Sequence, residues 1–271
     1  MKFDGWRAQV AVADGRVTLR TRTGHDITAA FPELAPLAAA GGRRVILDAE
    51  LVCLDRDGLP DFAAVGRRAA HARPATIAAA AAHQPARLML FDLLHLDGDE
   101  TWRWPWRERR QLLEALRLDG AAWATPRWFR AEDEGEALHA ATAALGLEGI
   151  VAKRIDGRYQ PGRRSAAAQK HKHWRREHGL YVSGWRPAGD HRPEVFFLRY
   201  ADDDGTYAGE VSHGLSRSER EELRARVRAA AGRARRDGTR ALSPGAVRVD
   251  VDHHGRAGGR LRDPILRALQ R

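Results

Sequence analysis

The hexapeptide Lys2-Phe3-Asp4-Gly5-Trp6-Arg7 sets a lysine and an arginine on either side of a glycine. A neutral lysine amine is a nucleophile, and arginine is a permanent cation suited to a phosphate or a ribose. Gly5 permits a tight turn that could aim both side chains inward. An ordinary charged turn is the competing reading. The lysine also stands out by number: of 46 Lys and Arg residues, only Lys2, Lys153, Lys170 and Lys172 are lysines. A chain that writes arginine for a generic cation leaves its lysines as suspects for chemistry that needs a proton to come off.

Other groups of chemical interest follow in order. In Leu47-Asp48-Ala49-Glu50-Leu51, the two acids fall on one face of a strand, because side chains alternate along it. Such a pair calls for Mg²⁺ coordination or a ribose contact, unless it is simply exposed on an edge strand. Phe91, in Phe91-Asp92, offers a ring for base stacking or for a core. Glu148 and Lys153 bound the apolar stretch Gly149-Ile150-Val151-Ala152, and a basic loop runs from Tyr159 to Ser165 through Arg163 and Arg164. Lys170 and Lys172 share a strand face and suit a triphosphate, or form a solvated basic stripe. His171 and His173 lack an acid or cysteine at ligand spacing and do not read as a metal pair. Trp102, Trp104 and Trp106, around Pro105, read as packing residues.

The elements that must carry these groups are legible in outline. Alternation over 8–22 around Asp14-Gly15 predicts a β-hairpin. Helices are expected over Pro32–Ala40 with a Gly41-Gly42 stop, over Phe62–Ala82 with a break at Pro74, over Arg107–Leu116 and over Glu132–Leu145. Strands are expected over Val45–Leu54, Arg87–Leu94 and Leu147–Lys153. Beyond residue 175 come four strand patterns, Leu180–Trp185, Val195–Ala201, Tyr207–Ser212 and Ala246–Val251, and one helix, Ser218–Ala231, with Ser218 as N-cap and Glu221 three residues on. Short strands and one helix in under a hundred residues predict a small β-barrel of oligonucleotide-binding type, with a boundary near residues 174–179.

Composition narrows the class. The 271 residues are 43% hydrophobic and 30% charged, which suits one large or two modest globular domains. No apolar run approaches a membrane span, and the charged Lys2 and Asp4 stand where a signal peptide would build its apolar core. The lone Cys53 excludes an internal disulfide, which fits a reducing cytoplasm. A net charge of +10 points to a polyanionic partner, nucleic acid first.

Taken in order, these motifs resemble the covalent nucleotidyltransferases, specifically the ATP-dependent DNA ligases of the small bacterial end-joining and repair type. Lys2 to Arg7 resembles the family's nucleophile motif. Arg22-Thr23-Gly24 resembles its Ser-Arg-Asn-Gly element, Asp48 to Glu50 its Asp-Gly-Glu motif with Ala49 for glycine, and Phe91-Asp92 its adenine-stacking motif. Glu148 to Lys153 resembles motif IV. Lys170 and Lys172 resemble motif V, with Ala168 where tryptophan is usual. Gly259-Arg260-Leu261-Arg262-Asp263-Pro264 resembles the approach to motif VI, which in the family ends Arg-x-Asp-Lys, whereas this sequence ends Gln270-Arg271. The family also carries a glutamate two residues before the lysine, and strands upstream of it. The expectation is that the reading frame continues upstream of Met1.

The resemblance implies an α+β fold: an adenylation (nucleotidyltransferase) domain over 1–175, with antiparallel sheets flanked by helices and without its first strands, then an OB-fold over 176–271. It implies that Lys2 attacks the α-phosphate of ATP, that the AMP passes to the 5′-phosphate of a nick, and that the 3′-hydroxyl then displaces it. Arg7, Arg22, Glu50, Phe91, Lys153, Lys170 and Lys172 would bind ATP. Asp48, Glu50 and Glu148 would hold Mg²⁺ or Mn²⁺. Lys170, Lys172, Arg7 and the metal would favour the neutral amine that attack requires. The implied substrate is nicked double-stranded DNA and the implied partners are end-joining proteins such as a Ku-like factor, for a cytoplasmic, nucleoid-associated monomer with no membrane role. Arg224 to Arg240 holds seven arginines against Asp237 alone, and Arg233, Arg235 and Arg236 are the candidate DNA-phosphate contacts. An RNA ligase or capping-type nucleotidyltransferase, or a nucleic-acid-binding remnant without catalysis, are the alternatives.

Overall fold

The computed structural model describes residues 1–39, 42–71, 73–163, 165–189, 192–201 and 205–270. The expected helix end at Ala40, its stop at Gly41, Arg164 of the basic loop and Arg271 lie outside the described residues. The chain divides into two compact units, Met1–His173 and Trp174–Arg271.

The first unit is built on a five-stranded sheet. In chain order its strands are β1 (Trp6–Ala13), β2 (Arg16–Thr21), β3 (Val45–Cys53), β4 (Ala86–Leu96) and β5 (Trp123–Ala124), and they lie side by side as β2-β1-β3-β4-β5. All neighbours are antiparallel except β4 and β5. The β1–β2 turn is the expected one: Asp14 and Gly15 both have positive φ, as a two-residue hairpin demands. Alternation does what the sequence implies. Ala8, Val10, Leu47, Ala49 and Leu51 are fully buried in one core, with Leu88, Leu90 and Leu93 of β4.

The unit also holds the helices α1 (Phe62–Ala69), α2 (Pro74–His83), α3 (Trp106–Ala115) and α4 (Ala131–Ala144), of which α1 packs on β3 and α3 on β4. Asp61 caps α1, accepting from the Ala63 and Ala64 amides. The segment Pro32–Ala39 is a 3₁₀ helix rather than the expected α-helix. Pro36 inside it has no amide hydrogen to donate, which disfavours the α-helical ladder. A second, two-stranded sheet pairs β6 (Gly149–Lys153) with β7 (Ala168–Lys172).

The second unit is one strongly branched sheet of seven strands. They are β8 (Arg175–Arg186), β9 (Val195–Arg199), β10 (Tyr207–Val211), β11 (Ala231–Ala234), β12 (Arg240–Leu242), β13 (Arg248–His253) and β16 (Ile265–Leu269), with a separate hairpin of β14 (Arg256–Ala257) and β15 (Arg260–Leu261). The long β8 is the hub, with β9 on one side and β13 then β12 along the other. The expected barrel is corrected here: among the described residues the ladder does not close, although the Leu266 amide reaches the His213 carbonyl across its two ends. The helix α5 (Arg217–Ala230) covers a core of Leu180, Val182, Phe196, Leu198, Leu223 and Val227. Its N-cap is Ser216, in a capping box with Glu219, and not Ser218 with Glu221. No described helix is long and apolar enough to cross a membrane.

Candidate active site

Two glycines bring the chemistry together in the first unit. Gly5 lies so close to β3 that a Cβ there would fall 2.2 Å from the Leu51 carbonyl oxygen. Gly149 has φ +146°, and a Cβ on it would fall 2.1 Å from the His171 carbonyl oxygen. The Lys2 amide donates to the Gly149 carbonyl at 2.7 Å, which ties the lysine backbone to the start of β6. One residue before that glycine, buried Glu148 accepts a short hydrogen bond from Lys2 Nζ through Oε2. Its other oxygen, Oε1, lies 3.0 Å from Lys172 Nζ. Glu148 therefore sits between two ammonium groups on separate chain segments.

Electrostatics follow from that packing. Burial pushes Glu50 up to about 7; Lys2, the Gly5 amide and Lys170 pull against this, while neighbouring Glu148 adds to it. Burial also acts to raise Glu148, but the hydrogen bond and charge of Lys2 and the nearby Lys172 outweigh it and hold its carboxyl below the usual range. Burial and Lys2 lower Lys170. Lys170 and Lys172 alternate on β7 as expected, opposite Val151 and Gly149.

Asp48 and Glu50 share the sheet face opposite the Leu47–Ala49–Leu51 core but have different partners. Fully buried Asp48 accepts from Arg7 Nε at 2.9 Å and Nη2 at 2.5 Å, and from the Tyr159 hydroxyl at 2.9 Å. Arg7 Nη2 also donates to Tyr159 at 2.8 Å. That network raises Arg7 above its ordinary value, and burial beside Asp48 pushes Tyr159 up to about 12. Among the described residues no three His, Cys, Asp or Glu side chains form a metal-holding group. Asp48 is engaged by Arg7 and Tyr159, while Glu50 and Glu148 flank Lys2. Burial, with Glu148 beside it, raises Glu50 toward its protonated form, and a divalent cation between these two oxygen donors would favour the ionised, ligating form.

On the far side, Phe91 is half-buried and outside the core. Lys153 Nζ lies 4.7 Å from its ring centre and 5.7 Å from that of Trp106. It also stands 3.4 Å from Asp92. Burial lowers Lys153, with Asp92 and Asp48 opposing. Trp106 is buried and meets Trp128 edge-on at 5.6 Å, which is packing as expected; Trp104 is more exposed, and the Arg103 guanidinium stacks on Trp102 at 4.2 Å. His173 pairs with Thr142 and stacks on His139. Arg22 is exposed in the turn after β2, with no hydrogen bond or ion pair among the described residues.

Sequence reasoning passed over two residues of this site. Tyr159 opens the basic loop, and an aromatic at the head of a Pro-Gly-Arg turn was the available signal. Arg109 was hidden in the run Arg107-Glu108-Arg109-Arg110, where nothing distinguishes a buried arginine from its solvated neighbours.

In the second unit, the arginines of the 224–240 stretch separate into two kinds. On α5, Arg224 pairs with buried Glu194 and Arg226 with Glu222. Arg233 lies on β11 and Arg235 and Arg236 on the turn after it, all three exposed. Past α5, the stretch continues as a β11–β12 hairpin.

The sequence model described as the ATP-dependent DNA ligase domain matches residues 1–172. The multifunctional non-homologous end joining DNA repair protein LigD of Mycobacterium tuberculosis is 34% identical over 223 residues, which are 80% of this chain and 27% of that protein. A probable DNA ligase of Streptomyces griseus is 38% identical over 173 residues, 61% of this chain and 34% of that one. The chain thus spans about a quarter to a third of the length of these relatives. Among solved structures, the ligase domain of M. tuberculosis LigD is 32% identical, with 99% of this chain and 87% of that one covered and a TM-score of 0.56. A mycobacterial DNA ligase D solved with ATP and MES gives the same figures.

Proposed function

Because the chain belongs to the ATP-dependent DNA ligase family, we propose that it seals nicks in double-stranded DNA through a lysyl-AMP adduct on Lys2. The observation that carries this reading is the placement of Lys2: its amine is held by Glu148, Glu50 is close, and Lys170 and Lys172 flank the acids. Lys2 gives up a proton to solvent and its amine attacks the α-phosphorus of ATP, so that a P–N bond forms as the bond to the departing pyrophosphate breaks. AMP then passes from Lys2 to the 5′-phosphate at a nick. The 3′-hydroxyl attacks that phosphate, a phosphodiester forms and AMP departs.

The chain's own residues divide the work by position. Glu148 holds the amine in place before attack. Lys170 and Lys172 stabilise charge on the phosphates, and that stabilisation is large in a half-buried site. Phe91 stacks on the adenine, above Lys153, and Arg7 turns toward the ribose or phosphate when ATP arrives. Glu50 and Glu148 would hold Mg²⁺ or Mn²⁺, with Asp48 recruited if Arg7 releases it, and the ion would neutralise phosphate charge. Arg22 is assigned to ATP by its motif alone.

Residues 1–175 form the adenylation domain in this proposal, and 176–271 a DNA-binding domain of OB type with an open sheet, whose Arg233, Arg235 and Arg236 meet DNA phosphates. The setting is repair of chromosomal breaks in the bacterial cytoplasm, in partnership with end-joining proteins such as a Ku-like factor. The test is incubation with α-labelled ATP and Mg²⁺ followed by denaturing electrophoresis. The wild-type chain becomes labelled and nicked DNA discharges the label, while Lys2→Arg stays unlabelled. Label that persists in Lys2→Arg removes Lys2 from the mechanism, and discharge by nicked RNA but not DNA reassigns the substrate.

A further inference from the structure

We propose that Arg109 is a positioning residue that holds the base-stacking side of the ATP site in register with its Arg7–Asp48 side, a proposal that rests on the function proposed above. Arg109 lies on α3 with its side chain only 3% exposed. Its fork meets four acceptors. Nε and Nη2 donate to the two oxygens of Asp92 at 2.7 and 3.0 Å. Nη1 donates to the carbonyls of Trp104 at 2.5 Å and Gly157 at 3.3 Å. A buried ion pair of this kind is weak evidence for stability, because apolar residues of similar volume often serve the fold as well. What the pair touches is therefore the more informative question.

Two arms run out from it. Asp92 Oδ2, the oxygen that faces Arg109 Nη2, also lies 3.4 Å from Lys153 Nζ. Lys153 in turn stands between the ring of Phe91 and that of buried Trp106. The ammonium thus lies over one face of the Phe91 ring, and in this proposal a base takes the other. On the other arm, the Gly157 carbonyl that Arg109 grips also accepts the Trp106 amide at 2.9 Å. Two residues on, the Tyr159 hydroxyl accepts from Arg7 and donates to Asp48, bracing their direct pair, and its ring centre is 5.9 Å from the Arg109 guanidinium. Only a planar fork reaches both arms at once. A lysine at this position has one ammonium and must give up most of the acceptors. Burial lowers Lys153 while Asp92 opposes this, so a displaced Asp92 weakens the charge on Lys153 as well as its position.

The test is a double-mutant cycle on ATP affinity, measured by calorimetry with ATP and no divalent ion, in the full chain. Arg109→Lys and Lys153→Met are compared singly and together. Each single variant loses about tenfold in affinity, the scale of one charge-assisted hydrogen bond. The double variant is no weaker than the poorer single, because both changes break the same arm. In adduct formation, Arg109→Lys raises KM for ATP by more than it lowers the limiting rate. If Arg109→Lys gives no cooperative melt, Asp92→Asn takes its place in the cycle. Multiplicative losses in the double variant, or affinity within twofold of wild type in the singles, overturn the assignment of Arg109 alone. A wild-type chain that binds no ATP overturns the proposed function and this inference with it.

Discussion

Glu50 has the most consequential environment of any single side chain in the site. A carboxyl raised from 4.5 to about 7 keeps its proton in the fold at pH values where the unfolded chain has already lost it. The folded state then binds more protons than the unfolded one, so stability falls as pH rises from about 4.5 through about 7. The raised value corresponds to a contribution on the order of 3 kcal/mol or less. Glu50→Gln keeps the shape and removes the titration, so its melting temperature declines less than that of wild type between about pH 5 and pH 8. Equal slopes for the two proteins would show that Glu50 ionises at an ordinary pH. At this scale the sequence was informative where side-chain type alone narrows the chemistry, as for Lys2, Glu50, Glu148, Lys170 and Lys172, which the structure does bring together. It was silent where partners decide. Nothing in the chain order says that Asp48 pairs with Arg7 and Tyr159 while Glu50, two residues on, lies in the field of Lys2.

Elements place these side chains through a few backbone positions that tolerate no substituent, and Gly149 is the sharpest case. Its carbonyl takes the Lys2 amide, it precedes the rest of β6, and a Cβ would collide with the His171 carbonyl at a φ that L-residues rarely adopt. Gly149→Ala must therefore separate β6 from β7 or unhook Lys2, at a cost of roughly 2–4 kcal/mol. Gly162 is the control: its φ of +70° is also positive, but nothing lies within 4 Å of a Cβ there. Gly162→Ala should cost about 1 kcal/mol, from strain alone. Urea denaturation measures both, and equal losses would mean that the close approach at Gly149 is relieved cheaply. Local signals were readable at this level: the Asp14-Gly15 hairpin and the strand under Asp48 and Glu50 stand where alternation and turn residues put them. The cap at Ser216 was displaced by two residues because Ser216 and Ser218 each have a glutamate three positions on. The short β5, β11, β12, β14 and β15 were illegible, since strands of two to four residues owe their existence to the strands they pair with and not to their own pattern.

For the molecule as a whole, the gross count of 46 lysines and arginines overstates the cation available to a polyanion. Much of the arginine is engaged internally: Arg68 with Glu33, Arg109 with Asp92, Arg224 with Glu194, and Arg176 and Arg267 both with Asp252. Exposure picks out a different set, and Arg233, Arg235 and Arg236 at the β11–β12 hairpin are its densest local group in the 224–240 stretch. If these three meet phosphates, replacing all of them with Gln weakens binding to unrelated DNA sequences alike, since arginine–phosphate pairing carries no base information. The slope of log affinity against log salt should fall by roughly 0.9 for each phosphate no longer neutralised, up to about 2.7 for the three. Arg224→Gln provides the contrast within the same stretch. Its guanidinium is held by buried Glu194 at 2.9 Å, so its loss strands a carboxylate and lowers the melting temperature while leaving the salt slope in place. Fluorescence anisotropy on nicked duplexes at several salt concentrations measures both variants. A slope unchanged in the triple variant would move the DNA-binding surface away from this hairpin, and a slope changed instead by Arg224→Gln would show that the helix arginines leave their acids to bind phosphate.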